Sequence, residues 1–307
     1  MLDSRIKLRH LQAFLEVAKR QSFARAADSL AVTQPAMSKT IRELEEAVAA
    51  ALFERGPRGV TLTPAGLALM RHAGPALNAL QEGLAAVRQP ATGAALVRLG
   101  ALSTVEEGLL PQALERLHAE SQEIRLQVLT GPSAYLLSQL SLGELDLVVG
   151  RMSEAREIRG LSFEHLYHEP LVLVARAGHP LAARTPLDAE ALGQYPWVVP
   201  PAPTTLREQV ERFWVEQGGP PPPITLETLS LALSRRYVQR TSALWVAPLD
   251  AVRGDLDEGS LVRLTVDLEA HGGSVGLCVN ATRALSPAAE RLCAQLRSLA
   301  SERESLT

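Results

Sequence analysis

Thr33-Gln34-Pro35-Ala36-Met37-Ser38-Lys39-Thr40-Ile41-Arg42-Glu43-Leu44 reads as a helix with two unlike faces. Thr33 is suited to the N-cap, and Pro35 falls in the first turn, where its missing N–H costs nothing. Met37, Ile41, Leu44 and Val48 recur at i, i+4, i+7 and i+11, one apolar stripe with the helical period. On the opposite arc stand Gln34, Pro35, Ser38, Lys39 and Arg42, which offer amide, hydroxyl and cationic groups with no large apolar side chain among them. Taken alone, such an arc is a solvated face. Its neighbours give it another use.

Upstream, Leu8, Leu11, Phe14, Leu15 and Ala18 form one amphipathic pattern, and Ser22 is placed to cap a short second helix containing Ala26, Ala27 and Leu30. Small paired residues let two helices cross closely, as a helix-turn-helix requires. The connecting turn Ala31-Val32-Thr33 lacks the glycine common at that place. Downstream, Leu52 to Thr63 reads as strand, Gly56-Pro57 turn, strand, a hairpin with Arg55 and Arg58 at its tip. In this setting the polar arc fits a DNA major groove, where Gln pairs with adenine and Arg or Lys with guanine or phosphate, and the hairpin arginines fit phosphates or a narrow minor groove. Charge is distributed accordingly. Up to residue 65 there are ten Lys and Arg against seven Asp and Glu, whereas the whole chain is −3. The basic excess is therefore confined to the end that would meet a polyanion.

Several runs together resemble the LysR-type transcriptional regulators. They are Leu8 to Phe14, Ser22-Phe23-Ala24-Arg25-Ala26-Ala27, Thr33 to Ile41, Leu44-Glu45, Leu52-Phe53-Glu54-Arg55 and Leu62-Thr63-Pro64-Ala65-Gly66. Within the family, the opening Asp3 to Leu11, Arg98 to Leu102, Gly143 to Arg151 and Leu161 to Tyr167 are most similar to regulators of protocatechuate catabolism. The resemblance implies DNA contacts from Ser22, Arg25, Thr33, Gln34, Pro35, Ser38, Lys39, Arg42, Arg55 and Arg58. It also implies double-stranded promoter DNA as a partner, a homodimer or dimer of dimers, contact with RNA polymerase, and activation of aromatic-acid genes by a small carboxylate such as a carboxymuconate. Control of sugar-uptake genes by a sugar is the alternative, and a solute-binding module with a helical cap is a more distant one.

Thr63 and Pro64 begin a further helix in which Met70, Ala73, Leu77, Leu80, Leu84 and Val87 alternate three and four residues apart. That is a heptad seam, suited to pairing between chains. Gly74-Pro75 lies inside it, and an interior proline removes a helical bond, so a kink is expected. Pro90 to Gly93 reads as a hinge.

Beyond it, short apolar runs at 97–102, 124–129, 145–149, 171–175, 197–199, 244–247 and 275–279 alternate with helical patterns at 110–118, 135–142, 204–217 and 286–304. This predicts a mostly parallel α/β architecture. The expected organisation is a helix-rich winged helix-turn-helix domain at 1–63, a dimerising linker helix at 64–90 and an effector domain at 94–307. The resemblance implies two lobes like those of periplasmic binding proteins, one of about 94–165 with 270–307, the other of about 166–269.

Ligands of open α/β sheets bind beyond the carboxyl ends of strands. The loops there hold Ser103, Thr104, Thr130, Gly131, Arg151, Thr204, Thr205 and Arg207, with Arg240 and Thr241 in a stretch where many relatives have a Gly-rich turn. Hydroxyls, helix N-termini and guanidinium groups suit a small anion, although each Ser or Thr taken singly is as well explained as a cap.

Other functions find little support. The chain has no Walker loop, GxSxG elbow or HExxH motif, so neither enzyme nor cofactor is expected. Cys278 and Cys293 fall in apolar patterns and read as buried and reduced. In Glu164-His165-Leu166-Tyr167-His168-Glu169 a strand would send the two histidines to opposite faces, which disfavours a metal site. No run is long and apolar enough to span a membrane, no signal peptide is seen, and a cytoplasmic location is expected.

Overall fold

The computed structural model describes residues 5–56, 59–88, 94–120, 123–151, 160–219, 221–268 and 271–304. The N-terminal part comprises α1 (Leu8–Arg20), α2 (Phe23–Ser29), α3 (Gln34–Val48), a hairpin of β1 (Phe53–Gly56) and β2 (Gly59–Leu62), and the long α4 (Pro64–Arg88). The stripe Met37, Ile41 and Leu44 is buried against Phe14, Val17, Phe23 and Ala26. Ser22 and Thr33 cap α2 and α3, accepting from the amides of Arg25 at 3.3 Å and Ala36 at 3.4 Å. The glycine-free turn is explained by Ala31, which adopts φ 53 in the left-handed region itself. That costs roughly 1 kcal/mol. Glu45 Oε1 accepts from the amides of Leu52 at 2.8 Å and Phe53 at 3.3 Å, fastening the base of the hairpin to α3.

α4 does not end at Gly74-Pro75, and the helix runs through both. Its apolar seam divides into two parts. Ala73 and Leu77 are buried, whereas Leu80, Leu84 and Val87 stand exposed.

The remainder forms two sheets. The first lobe contains β3 (Ala95–Ala101), α5 (Ser103–Glu107), α6 (Leu109–Glu120), β4 (Ile124–Thr130), α7 (Ser133–Leu142), β5 (Leu147–Arg151) and β6 (Leu161–Glu169). The second contains β7 (Leu171–Arg176), α8 (Ala189–Gly193), β8 (Trp197–Val199), α9 (Thr205–Glu216), β9 (Ile224–Glu227), α10 (Leu231–Arg240), β10 (Leu244–Pro248), α11 (Leu249–Asp257) and β11 (Leu261–Leu264). The chain then returns to the first lobe as β12 (Gly273–Asn280) and α12 (Pro287–Glu304).

Sheet orders are β4-β3-β5-β12-β6 and β11-β7-β10-β8-β9. The expectation of mostly parallel sheets needs correction. β3 pairs parallel with β4 and β5, and β8 with β9 and β10, but β12 runs antiparallel to β5 and β6, and β7 antiparallel to β10 and β11. A chain that crosses between lobes and returns brings its crossing strands in against the βαβ direction. Sheet membership changes between Glu169 and Leu171 and again before Gly273.

Each sheet is buried on both faces. In β7, Leu171, Leu173 and Ala175 face the core that holds Trp197 and Phe213, while Val172 and Val174 face the one that holds Trp245 and Val238. This is why the strand reads as an unbroken apolar run and not as alternation. Among the described residues no helix is long and apolar enough to cross a membrane.

Candidate nucleic-acid interface and ligand cavity

On α3, Gln34, Pro35, Lys39 and Arg42 are exposed and Ser38 is half-buried, so the arc opposite the core stripe faces outward. Lys39 Nζ lies 4.0 Å from Glu43, an exposed pair that leaves the ammonium accessible. Arg25 is exposed on α2. The hydroxyls of Ser22 and Thr33 are engaged as caps, and any DNA contact they make is additional to that role. Arg55 is exposed, and its guanidinium stacks over the Phe23 ring, 4.6 Å from the centroid. A cation–π contact of this kind holds the arginine beside α2 without removing its charge. Arg58 lies outside the described residues.

Between the lobes is a cavity of about 320 Å³. The first lobe lines it with Ser103, Thr104, Thr130, Gly131 and Arg151, and the second with Thr204 and Thr205. Four helices, α5, α7, α9 and α10, begin at its wall. Thr204 and Ser230 cap α9 and α10, but α5 and α7 carry no side-chain cap, so their first N–H groups remain available. Uncapped N-termini favour anions.

Three candidates do not join this set. Arg207 is held by Glu211 at 2.8 Å, Glu227 at 2.7 Å and the Pro200 carbonyl at 3.1 Å. Arg240 is exposed at the end of α10, and the Thr241 hydroxyl donates to the Tyr237 carbonyl at 2.9 Å. Sequence reasoning placed them by chain proximity to strand ends, which says nothing about the competing partners of a long side chain.

Other residues of the site had been missed. Pro200, Leu206, Leu231, Trp245 and Val246 build an apolar wall, with Thr228 and Ser234 adding hydroxyls. Most consequential is Glu169, which lies behind the lining and holds two of its residues, Thr104 and Arg151. It is the last residue of β6, its side chain is wholly buried, and its Oε2 accepts from Arg151 Nη2 and, at 3.4 Å, from the Thr104 hydroxyl. Burial pushes its carboxyl above the usual carboxylate range, against the pull of Arg151. The one available signal was an acid followed by Pro170 and then by five apolar residues.

His165 and His168 are both exposed, because a bulge in the β6–β12 pairing interrupts the simple alternation expected there. Among the described residues, no three metal-ligating side chains come together. Cys278 and Cys293 are buried, and desolvation raises their thiols to about 12 and about 11.

An outward polar helix with a wing, joined by a long helix to a two-lobed domain with a central cavity, defines a DNA-binding regulator with a small-molecule receptor. The chain belongs to the LysR family of transcriptional regulators. The family's bacterial regulatory helix-turn-helix model matches residues 8–67, and its LysR substrate binding domain model matches residues 91–301. The HTH-type transcriptional regulator PcaQ of Agrobacterium fabrum is 41% identical over 282 residues, 92% of this chain and 91% of that one. YdcI of Escherichia coli, an uncharacterised HTH-type regulator, is 37% identical over 278 residues, 90% of each chain. In fold the chain is similar to ArgP from Mycobacterium tuberculosis, with a TM-score of 0.69, 20% identity and 98% of each chain covered.

Proposed function

We propose that this regulator controls genes of aromatic-acid catabolism, binding their promoter DNA through α3 and the wing, and that a small carboxylate in the interlobe cavity switches it. The observation that carries the carboxylate is the convergence of Arg151 with the uncapped N-termini of α5 and α7 on one cavity whose other wall is apolar. The similarity to PcaQ supports the aromatic pathway, and a ring-cleavage product of the carboxymuconate type is the candidate it suggests. A sugar fits less well. Apart from Arg151 and Glu208, the described residues of the lining include no amide or charged side chain able to grip vicinal hydroxyls in pairs.

In this reading α4 pairs two chains through its exposed seam, and dimers assemble on a promoter dyad, from which RNA polymerase is contacted. The ligand acts through its differential affinity for two assemblies. The test is a gel shift of a dyad promoter fragment with the full chain, titrated with protocatechuate, its ring-cleavage products and glucose. An aromatic-derived carboxylate should change the affinity or mobility of the complex while glucose does not. Arg42→Ala should weaken binding to all fragments and reduce the salt slope by about 1. Wild-type affinity in Arg42→Ala and Arg55→Ala together would overturn the groove assignment, and a response to glucose alone would overturn the effector class.

A further inference from the structure

Among the described residues, Arg151 is the sole cation lining the cavity, and Glu169 already neutralises it. Its side chain and that of Glu169 are 9% and 0% exposed, and they form a one-to-one pair. The groups facing Glu169 come from five elements: Thr104 on α5, Arg151 on β5, Tyr167 on β6 itself, Asp250 on α11 and Arg303 on α12. Arg303 also acts on Glu169 electrostatically, but its Nη1 is bound to Asp250 Oδ2 at 2.6 Å, and Asp250 acts on Glu169 in the opposite sense. Arg151 Nε and Glu169 Oε1 are buried and have no hydrogen-bond partner among the described residues. The pair is thus satisfied in charge and left short in hydrogen bonds.

We infer that Arg151 and Glu169 work as a proton-linked anion site: one ligand carboxylate replaces Glu169 as the counter-charge of Arg151, and Glu169 takes up one proton from solvent. This rests on the reading of the cavity as the effector site. An anion added while Glu169 stays ionised would put two negative charges around one buried cation, which desolvation makes costly. Protonation of Glu169 restores the balance, and the neutral carboxyl gains an O–H donor. Burial already biases Glu169 in that direction. Among the described residues lining the cavity the other charged side chain is Glu208, so the exchange at Arg151 concerns one carboxylate of the ligand, whose apolar body rests on Leu206, Leu231 and Trp245.

The test is calorimetric titration of the full chain with benzoate, phthalate and trimesate between pH 6 and 9, in two buffers of different ionisation enthalpy. Benzoate is expected to bind once per chain. In the upper part of the range its binding should take up about one proton and weaken about tenfold per pH unit. Phthalate and trimesate should likewise take up about one proton each, since one carboxylate enters the exchange. Glu169→Gln should bind benzoate with no proton uptake and no pH dependence. If that variant does not fold, the proton count on the wild-type chain decides. Benzoate affinity that is flat across the range with no proton uptake overturns the exchange and leaves the cavity reading standing. Absence of heat from all three probes overturns the cavity reading and this inference with it.

Discussion

Gly74 of the linker helix lies against the carbonyl oxygen of Leu142, at the end of α7, with no space for a methyl group between them. Nearby, Asn78 Nδ2 donates to the Gly143 carbonyl, Gly143 adopts φ 79, and Lys19 Nζ reaches Glu144 at 2.8 Å. The linker helix is seated on the first lobe of its own chain. Gly74→Ala should force the two backbones apart and lower stability by about 1–3 kcal/mol, read as a reduced urea midpoint. An unchanged midpoint would show that helix and lobe do not dock in solution.

The exposed half of the α4 seam leads to a second prediction. Leu80, Leu84 and Val87 are 44%, 49% and 82% exposed on one helix, while Ala73 and Leu77 on the same seam are buried. A charge placed there would be desolvated if two such helices met. Leu84→Lys is therefore expected to shift sedimentation velocity from an oligomer to a monomer at micromolar concentration, with the circular dichroism unchanged. A wild-type chain that sediments as a monomer would refute the pairing.

Neither cysteine is set up for redox chemistry. The thiolate is the reactive form, and burial holds Cys278 at about 12 and Cys293 at about 11. A disulfide-exchange reagent should modify both only as fast as the protein unfolds, and peroxide should leave DNA affinity unchanged. Fast labelling of either thiol in native buffer would contradict this.

Acid should act in two stages. Burial lowers His179 below its ordinary value, against the hydrogen bond to the Ser242 carbonyl. The unfolded chain then binds the extra proton first, so stability begins to fall as pH drops below about 6.5. Glu164 is held low by its hydrogen bonds from Arg297, and Glu302 is held at about 2 by Arg116. Their contribution is present above the ordinary carboxylate range and is lost between about pH 4.5 and 2. Glu169, shifted the other way, opposes the trend. The check is the thermal midpoint measured from pH 7 to 3, and a midpoint that rises between pH 7 and 5 would contradict the assignment for His179.

The N-terminal elements were readable because a stripe such as Met37, Ile41 and Leu44 has a period, and caps such as Ser22 and Thr33 have a local chemistry. The α/β class followed from apolar runs such as 171–175, buried on both faces. Strand direction did not follow, since β12 and β7 are set antiparallel by a crossing that no local pattern records. β6, β9 and β11 escaped notice as well. β6 carries Glu164, His165 and His168 outward and β9 is largely exposed, so neither has a continuous apolar run. In the cavity, loop hydroxyls such as Ser103 and Thr130 could be found from position alone. Arg207 and Glu169 could not, because which carboxylate an arginine chooses is settled by tertiary packing.

The two ends of α7 have different neighbours. Ser133, at its start, stands in the cavity wall and accepts from the Arg151 amide at 3.3 Å, and its last turn meets Gly74 and Asn78. Ten residues make a rod about 15 Å long. A stiff rod carries a push along its length, so a ligand that shifts Ser133 against the sheet will be felt where the DNA-binding half is moored, with no intervening loop to absorb the stroke.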